Sequence, residues 1–169
     1  MSSTRLSPIA FSVRTLLLAI SLFLASPRPT LACPLSHSLY RDSSGQDFEL
    51  TWQAPIRDRA SSQATLQIRH GDDLLYHLDL TQASGYGTIF LRLLDPSREL
   101  QGDPLTLNFF DETLADANPL FFELAQPAPT YVFIPGLGSY DYYQRRGEGP
   151  LLGEVMWIFE RCQTADSTQ

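Results

Sequence analysis

The stretch TLQIRHGDDLLYHLDL, residues 65–80, decides the fold class, because apolar and polar residues alternate on both sides of a turn signal. Alternation with a period of two is typical of a strand with one buried face. If residues 71–73 form a three-residue loop, Ile68 faces Tyr76 and the apolar side chains share one face. A two-residue loop would divide them between the two faces. The stretch therefore predicts an antiparallel hairpin with a three-residue loop.

The same alternation recurs along most of the chain. It covers residues 48–52, 105–109 and 151–159, and two runs are apolar on both faces, 89–94 and 131–134. Gly, Pro, Asp and Asn separate these runs at the spacing of about 8–12 residues that all-β domains show. We therefore predict a single antiparallel β-sandwich, or a barrel-like domain, of seven to nine short strands. Trp52 and Trp157 lie on its apolar faces and are expected in the core.

Two segments between the strands invite a local interpretation. Residues 111–117 begin with acids, as the first turn of a helix should, and Pro119 would stop a helix soon afterwards. They form the one helix that we predict. Residues 135–139 (PGLGS) resemble a catalytic or dinucleotide-binding motif only superficially, because Asp141 stands where both motifs need glycine. We interpret them as a glycine-rich turn.

The first 32 residues have the layout of a secretory signal peptide. They contain three arginines and no acid, and an apolar run at residues 16–25 precedes the small residue Ala32. That run is much shorter than the roughly 20 residues of a membrane-spanning helix. We therefore expect cleavage after Ala32, no stable transmembrane segment after processing, and a secreted or periplasmic protein.

Cleavage there leaves a domain at residues 33–162 and a flexible polar tail at residues 163–169. Cys33 and Cys162 are the only cysteines, and an even number in an exported chain predicts a disulfide between them. An alternative is that Cys33, directly after the cleavage site, carries a lipid as in bacterial lipoproteins. Thr30 stands where such sites usually have leucine, which favours the disulfide.

The charge of the mature chain narrows the class of partner. Residues 33–169 hold nine arginines, no lysine and all 19 acids, for a formal net charge of −10. Nucleic acids and anionic membrane surfaces repel such a protein. We expect a protein or a glycan outside the cytoplasm as the partner.

Aromatic and arginine residues concentrate in the segment 136–149. Tyrosine and arginine supply much of the binding energy at interfaces, and tyrosine also stacks on sugar rings. Alternatively, the tyrosines pack on their own sheet and the arginines neutralise nearby acids. The sequence predicts that an exposed binding loop contains Tyr140, Tyr142, Tyr143, Arg145 and Arg146.

The sequence offers little for catalysis or metal binding. The acids near residue 115 are the best candidates for a weak calcium site, because hard oxygen ligands on a loop suit Ca²⁺. That set is Asp111, Glu112, Asp116 and Asn118. The three histidines are not placed to share a zinc ion, and we expect no cofactor.

The sequence-based hypothesis is thus an exported, non-catalytic binding or structural protein. The first alternative is a carbohydrate-binding module that uses the tyrosine-rich loop. The second is a hydrolase with an unrecognised pair of carboxylates, which would require a cleft containing two acids of perturbed pKa.

Overall fold

The computed structural model describes residues 32–84, 87–146 and 148–163. In this part of the chain, eight antiparallel strands form a closed barrel, in which each strand pairs with the next in sequence and the last pairs with the first. The strands are β1 (Ser38–Asp42), β2 (Phe48–Gln53), β3 (Ala64–His70), β4 (Asp73–Gln82), β5 (Ile89–Leu94), β6 (Leu100–Phe110), β7 (Tyr131–Phe133) and β8 (Met156–Cys162). The prediction of an all-β antiparallel domain is confirmed, in its barrel form.

The core lies inside the barrel, where alternate residues of each strand point inward. An eight-stranded barrel is just wide enough for side chains to fill it. Both tryptophans are buried, as predicted, and Trp52 packs beside Phe109 with ring centroids 5.8 Å apart. Leu66, Leu78 and most of their inward-facing neighbours are shielded completely from solvent. The alternation of apolar and polar residues in the sequence therefore corresponds to side chains that point alternately into and out of the barrel.

The hairpin of β3 and β4 has the predicted pairing but a different turn. Ile68 faces Tyr76 as expected, whereas His70 pairs with Asp73. The loop is therefore two residues long, and the prediction of three is wrong. A β-bulge between Ile68 and Arg69 adds the residue that keeps the apolar side chains on one face. Gly71 begins the turn at a φ of 57°, which glycine adopts without strain.

The two ends of the barrel differ in how they are closed. The helix end is crossed by the connection between β7 and β8, residues 134–155, and the loop end by the connection between β6 and β7, residues 111–130. The ends of the domain also meet at the loop end. Here a short 3-10 turn, Leu35–His37, precedes β1, and its backbone pairs with the 111–130 connection.

The predicted disulfide between Cys33 and Cys162 is present, with Cα atoms 5.6 Å apart. The bond uses both sulfur atoms, so Cys33 has no free thiol for a lipid. It ties the segment before β1 to the end of β8 across 129 residues of sequence. The predicted signal peptide, except for Ala32, and the tail beyond Gln163 lie outside the described residues.

Candidate functional site

The segment predicted as an exposed binding loop is largely a helix. We name it α1, Leu137–Arg145. No side chain caps it from the N-cap position, where Gly136 has a φ of 81°. Instead, the Glu154 carboxylate accepts hydrogen bonds from the backbone N–H groups of Gly136 and Ser139, both at 3.1 Å. A carboxylate placed there satisfies free N–H groups and opposes the positive end of the helix dipole.

The helix rests directly on the chain that follows it. A Cβ added at Gly138 would overlap the backbone of Gly153 and Glu154, so only glycine fits at that position. The prediction of a glycine-rich turn is correct for residues 135–136 and wrong for residues 137–139, which form the first turn of α1. One glycine begins the helix, and the other permits its contact with the 153–154 backbone.

Asp141 is the central polar group of the helix end and is completely buried. Its carboxylate accepts hydrogen bonds from the Tyr76 hydroxyl at 2.6 Å, from the Leu152 N–H at 2.8 Å and from two nitrogens of Arg145 at 2.7 and 2.8 Å. Burial alone would raise the pKa of Asp141, but these hydrogen bonds outweigh burial and lower it. Asp141 is therefore an ionised, fully partnered structural group.

The five residues of the predicted binding segment consequently separate into two groups. Arg145 pairs with Asp141 and also donates to the Pro150 carbonyl, and Tyr140 packs edge-on against Tyr76 at 5.9 Å. Tyr142, Tyr143 and Arg146 are exposed. The rings of Tyr142 and Tyr143 lie 5.6 Å apart at 82°, so they do not form the flat platform on which a sugar ring would stack.

Three of the four candidate calcium ligands in the 111–130 connection, Asp111, Asp116 and Asn118, accept hydrogen bonds from backbone N–H groups. One oxygen of Asp111 accepts from the backbone N–H groups of Thr113 and Ala115, and Asp116 accepts from the Asn118 N–H. The predicted helix at 111–117 is therefore wrong, because these side-chain bonds hold the backbone in turns. Among the described residues, no group of three or more His, Cys, Asp or Glu side chains is placed to hold a metal ion.

The 111–130 connection closes the loop end of the barrel through two anchors. Phe122 inserts into the core beside Trp52 and Phe109, with ring centroids 5.9 and 6.4 Å away. The Gln82 amide accepts a hydrogen bond from the Phe122 N–H at 2.8 Å and donates one to the Pro119 carbonyl at 2.7 Å. The backbone on both sides of Leu120 and Phe121 is therefore fixed to the barrel.

Between these anchors, the same connection displays two large apolar side chains to solvent. Leu120 is 81% exposed and Phe121 is 83% exposed, more than any other large apolar residue among those described. We call Leu120 and Phe121 the apolar patch. Sequence analysis missed it, because the run Leu120-Phe121-Phe122 has no period that separates the buried phenylalanine from the exposed one.

The surroundings of the apolar patch are acidic. Two clefts flank Pro119, and their linings include Asp111, Glu112 and Asp116 but, within the described residues, no Arg or His. The whole sequence from residue 99 to residue 144 contains no basic residue. An exposed apolar dipeptide inside a uniformly acidic segment is thus the most unusual surface of the described chain.

The carboxylates give little support to a hydrolytic site. Catalysis by a general acid needs a carboxyl group whose pKa is raised. The pKa is lowered at each described carboxyl group whose shift is resolved, at Asp42, Asp95, Asp111 and Asp141. In every one of them hydrogen bonds from neighbouring groups stabilise the ionised form.

Comparisons with protein-family models, with curated proteins and with solved structures find no match to this chain. Among the described residues, no helix is both long enough and apolar enough to cross a membrane.

Proposed function

We propose that this chain is an exported, non-catalytic protein-binding domain that holds a basic partner through the apolar patch. The observation that carries the proposal is the exposure of Leu120 and Phe121 between two anchored neighbours. Folding does not use these side chains, although their backbone is held in place by Gln82 and Phe122. Holding apolar side chains in water on a fixed backbone lowers the entropy lost when a partner covers them.

Charge complementarity selects the kind of partner. The acids around the patch, together with the net charge of −10, favour a partner with a basic surface and repel a second copy of this chain. The same charge opposes insertion of Phe121 into an anionic membrane. An apolar pocket rimmed by Lys or Arg on an extracytoplasmic protein fits both features of the patch. The disulfide supports an oxidising compartment for this encounter.

Affinity capture with matched variants tests the proposal. The full chain is expressed in an exporting host and used to capture proteins from the envelope fraction of that host. The double variant Leu120→Ser/Phe121→Ser is used in a parallel capture. Leu74→Ser is the control, because Leu74 is also exposed but lies at the helix end of the barrel. The proposal expects one captured protein of basic isoelectric point, retained by the control, lost by the double variant and weakened about tenfold or more by 0.5 M salt.

Two results would overturn the proposal. The first is capture that the double variant and the control reduce equally, since the patch would then not be the contact. The second is a captured partner that is acidic or whose binding does not respond to salt.

A carbohydrate-binding module remains the second candidate, because Tyr142 and Tyr143 are exposed on α1. The angle of 82° between their rings favours the protein partner. A glycan array probed with the full chain and with Tyr142→Ala/Tyr143→Ala decides between them. Glycan binding that this double variant abolishes would establish the second candidate.

A further inference from the structure

The outer wall of the barrel has a polar layer of its own. The connection between β2 and β3, residues 54–63, folds back over β4 and buries Asp79 on the outside of the sheet. Arg59 donates to one oxygen of Asp79 at 3.0 Å, and the Ser62 hydroxyl donates to the other at 2.5 Å. Arg59 also donates to the backbone carbonyl of Arg98 at 3.0 Å, which ties the β5–β6 turn to the same wall.

A cleft of about 370 Å³ opens beside this layer. Its lining includes His77 on β4, Gln67 on β3, and Arg57, Asp58 and Arg98 from the two connections that meet there. Within the described residues, Arg57 and Arg98 form no ion pair. The lining thus includes two exposed arginines without an ion pair in the described chain and one acid, in a protein whose net charge is strongly negative.

His77 contributes a nitrogen that the fold leaves without a partner. Its Nε2 atom is shielded from solvent and makes no hydrogen bond with the described chain. The ring therefore lines the cleft without offering this nitrogen to a ligand, and its protonation responds to the charges beside it. Burial lowers the pKa of His77, Arg98 lowers it further, and Asp79 acts in the opposite direction.

The position of Arg98 is set by its own turn. The residue has a φ of 65°, a left-handed conformation that costs energy for any side chain other than glycine. The Asp95 carboxylate holds the turn by accepting from the Glu99 N–H at 2.8 Å, and the Arg98 N–H donates to the Asp95 carbonyl at 2.9 Å. Strain kept by surrounding bonds is common where a side chain is held ready for a ligand.

We propose that this cleft binds a small oxyanion, a carboxylate or phosphate group, with the guanidinium groups of Arg57 and Arg98 as donors and the His77 ring in the wall beside them. Guanidinium groups bind such oxyanions through charge-assisted hydrogen bonds. Asp58 opposes the anion and keeps the net charge of the cleft small, so binding is modest and salt-dependent. This site is independent of the apolar patch and of the protein partner proposed above.

Nuclear magnetic resonance of the His77 ring tests the site without an enzymatic assay. The full chain is titrated with inorganic phosphate in one arm and with acetate in the other, and the His77 resonances are followed across pH. A bound anion stabilises the imidazolium form, so we expect saturable shifts and a rise in the pKa of His77. The arm with the tighter saturation identifies the group as a phosphate or as a carboxylate.

Variants separate this site from general anion effects. Arg57→Gln and Arg98→Gln should each weaken binding by about tenfold. Arg161→Gln, at the end of β8 and away from the cleft lining, should leave it unchanged. Absence of a saturable shift with either anion, or an unchanged shift in the Arg57→Gln/Arg98→Gln double variant, would overturn the proposal.

Discussion

The two ends of the barrel are closed by different interactions, polar at the helix end and apolar at the loop end. The helix end is sealed by a buried carboxylate with four hydrogen-bonded donors, and its unusual residues, Gly138, Asp141 and Arg145, are used internally. The loop end is sealed by apolar insertion of Phe122, and it leaves Leu120 and Phe121 outside. Residues of the kind that often mediate binding are therefore structural at the helix end, whereas the apolar dipeptide at the loop end stays exposed to solvent.

Removal of the disulfide should have the largest effect on the free energy of unfolding, because the bond secures the loop end. In the chain-entropy model, closing a loop of about 100 residues stabilises a protein by roughly 4–5 kcal/mol. We expect the double variant Cys33→Ser/Cys162→Ser to lose most of that free energy of unfolding in urea. A loss below about 1 kcal/mol would show that Phe122 and the backbone pairing of the 3-10 turn secure this end alone.

Asp141→Asn should break the helix end. Removing one partner of a buried ion pair costs about 3–5 kcal/mol, because the other charge is left without compensation. Thermal and urea unfolding measure the loss, and Glu154→Gln, which keeps a polar side chain at the exposed helix N-terminus, should lose much less. Equal losses in the two variants would contradict the central role of Asp141.

The stability of the protein should also depend on pH through the ionisation of Asp141. Its pKa is lowered in the folded protein, so it stabilises the fold fully above the unfolded value near 4. That stabilisation is lost as the pH falls through the folded value. Urea unfolding at a series of pH values from 7 to 2 should therefore show a shallower acid-induced loss in Asp141→Asn. Parallel curves for the variant and the unaltered protein would contradict the assignment.

Much of the barrel could be predicted from sequence, because in most strands apolar residues that face the interior alternate with polar residues that face solvent. The alternation of apolar and polar residues predicted the pairing of Ile68 with Tyr76, and the presence of only two cysteines predicted the disulfide. The turn between β3 and β4 escaped prediction, because a bulge changes the parity of the strand without a sequence signal of its own.

Helix α1 escaped prediction for a different reason. Its N-terminus is stabilised by Glu154, which follows the helix in sequence. No capping residue at the start of the segment therefore indicates a helix. Conversely, the acids of 111–117 resemble a helix start but use their side chains to hold turns. Both errors concern contacts that form only in the folded chain. The missed helix also explains why the binding hypothesis included Tyr140 and Arg145, which pack against or pair with residues of the barrel's helix end.

The smallest expected effect is on the stability of the loop end. Leu120→Ser/Phe121→Ser removes apolar side chains that the fold does not bury, so the free energy of unfolding should change by no more than about 0.5 kcal/mol. Phe122→Ala is the matched contrast, with an expected loss of about 3–5 kcal/mol from the core. Urea unfolding measures the loss of unfolding free energy in each of the two variants. A large loss in the double variant would mean that the patch serves folding.

Photo-crosslinking from the two ends can identify the surface that contacts the proposed partner. A photoreactive phenylalanine analogue replaces Phe121 in one variant and Tyr143, which is 77% exposed on α1, in the other. Both full-length variants are irradiated in exporting cells. We expect a discrete adduct with a basic protein from position 121 and none from position 143. An adduct from position 143 alone, or no adduct from position 121, would contradict this prediction.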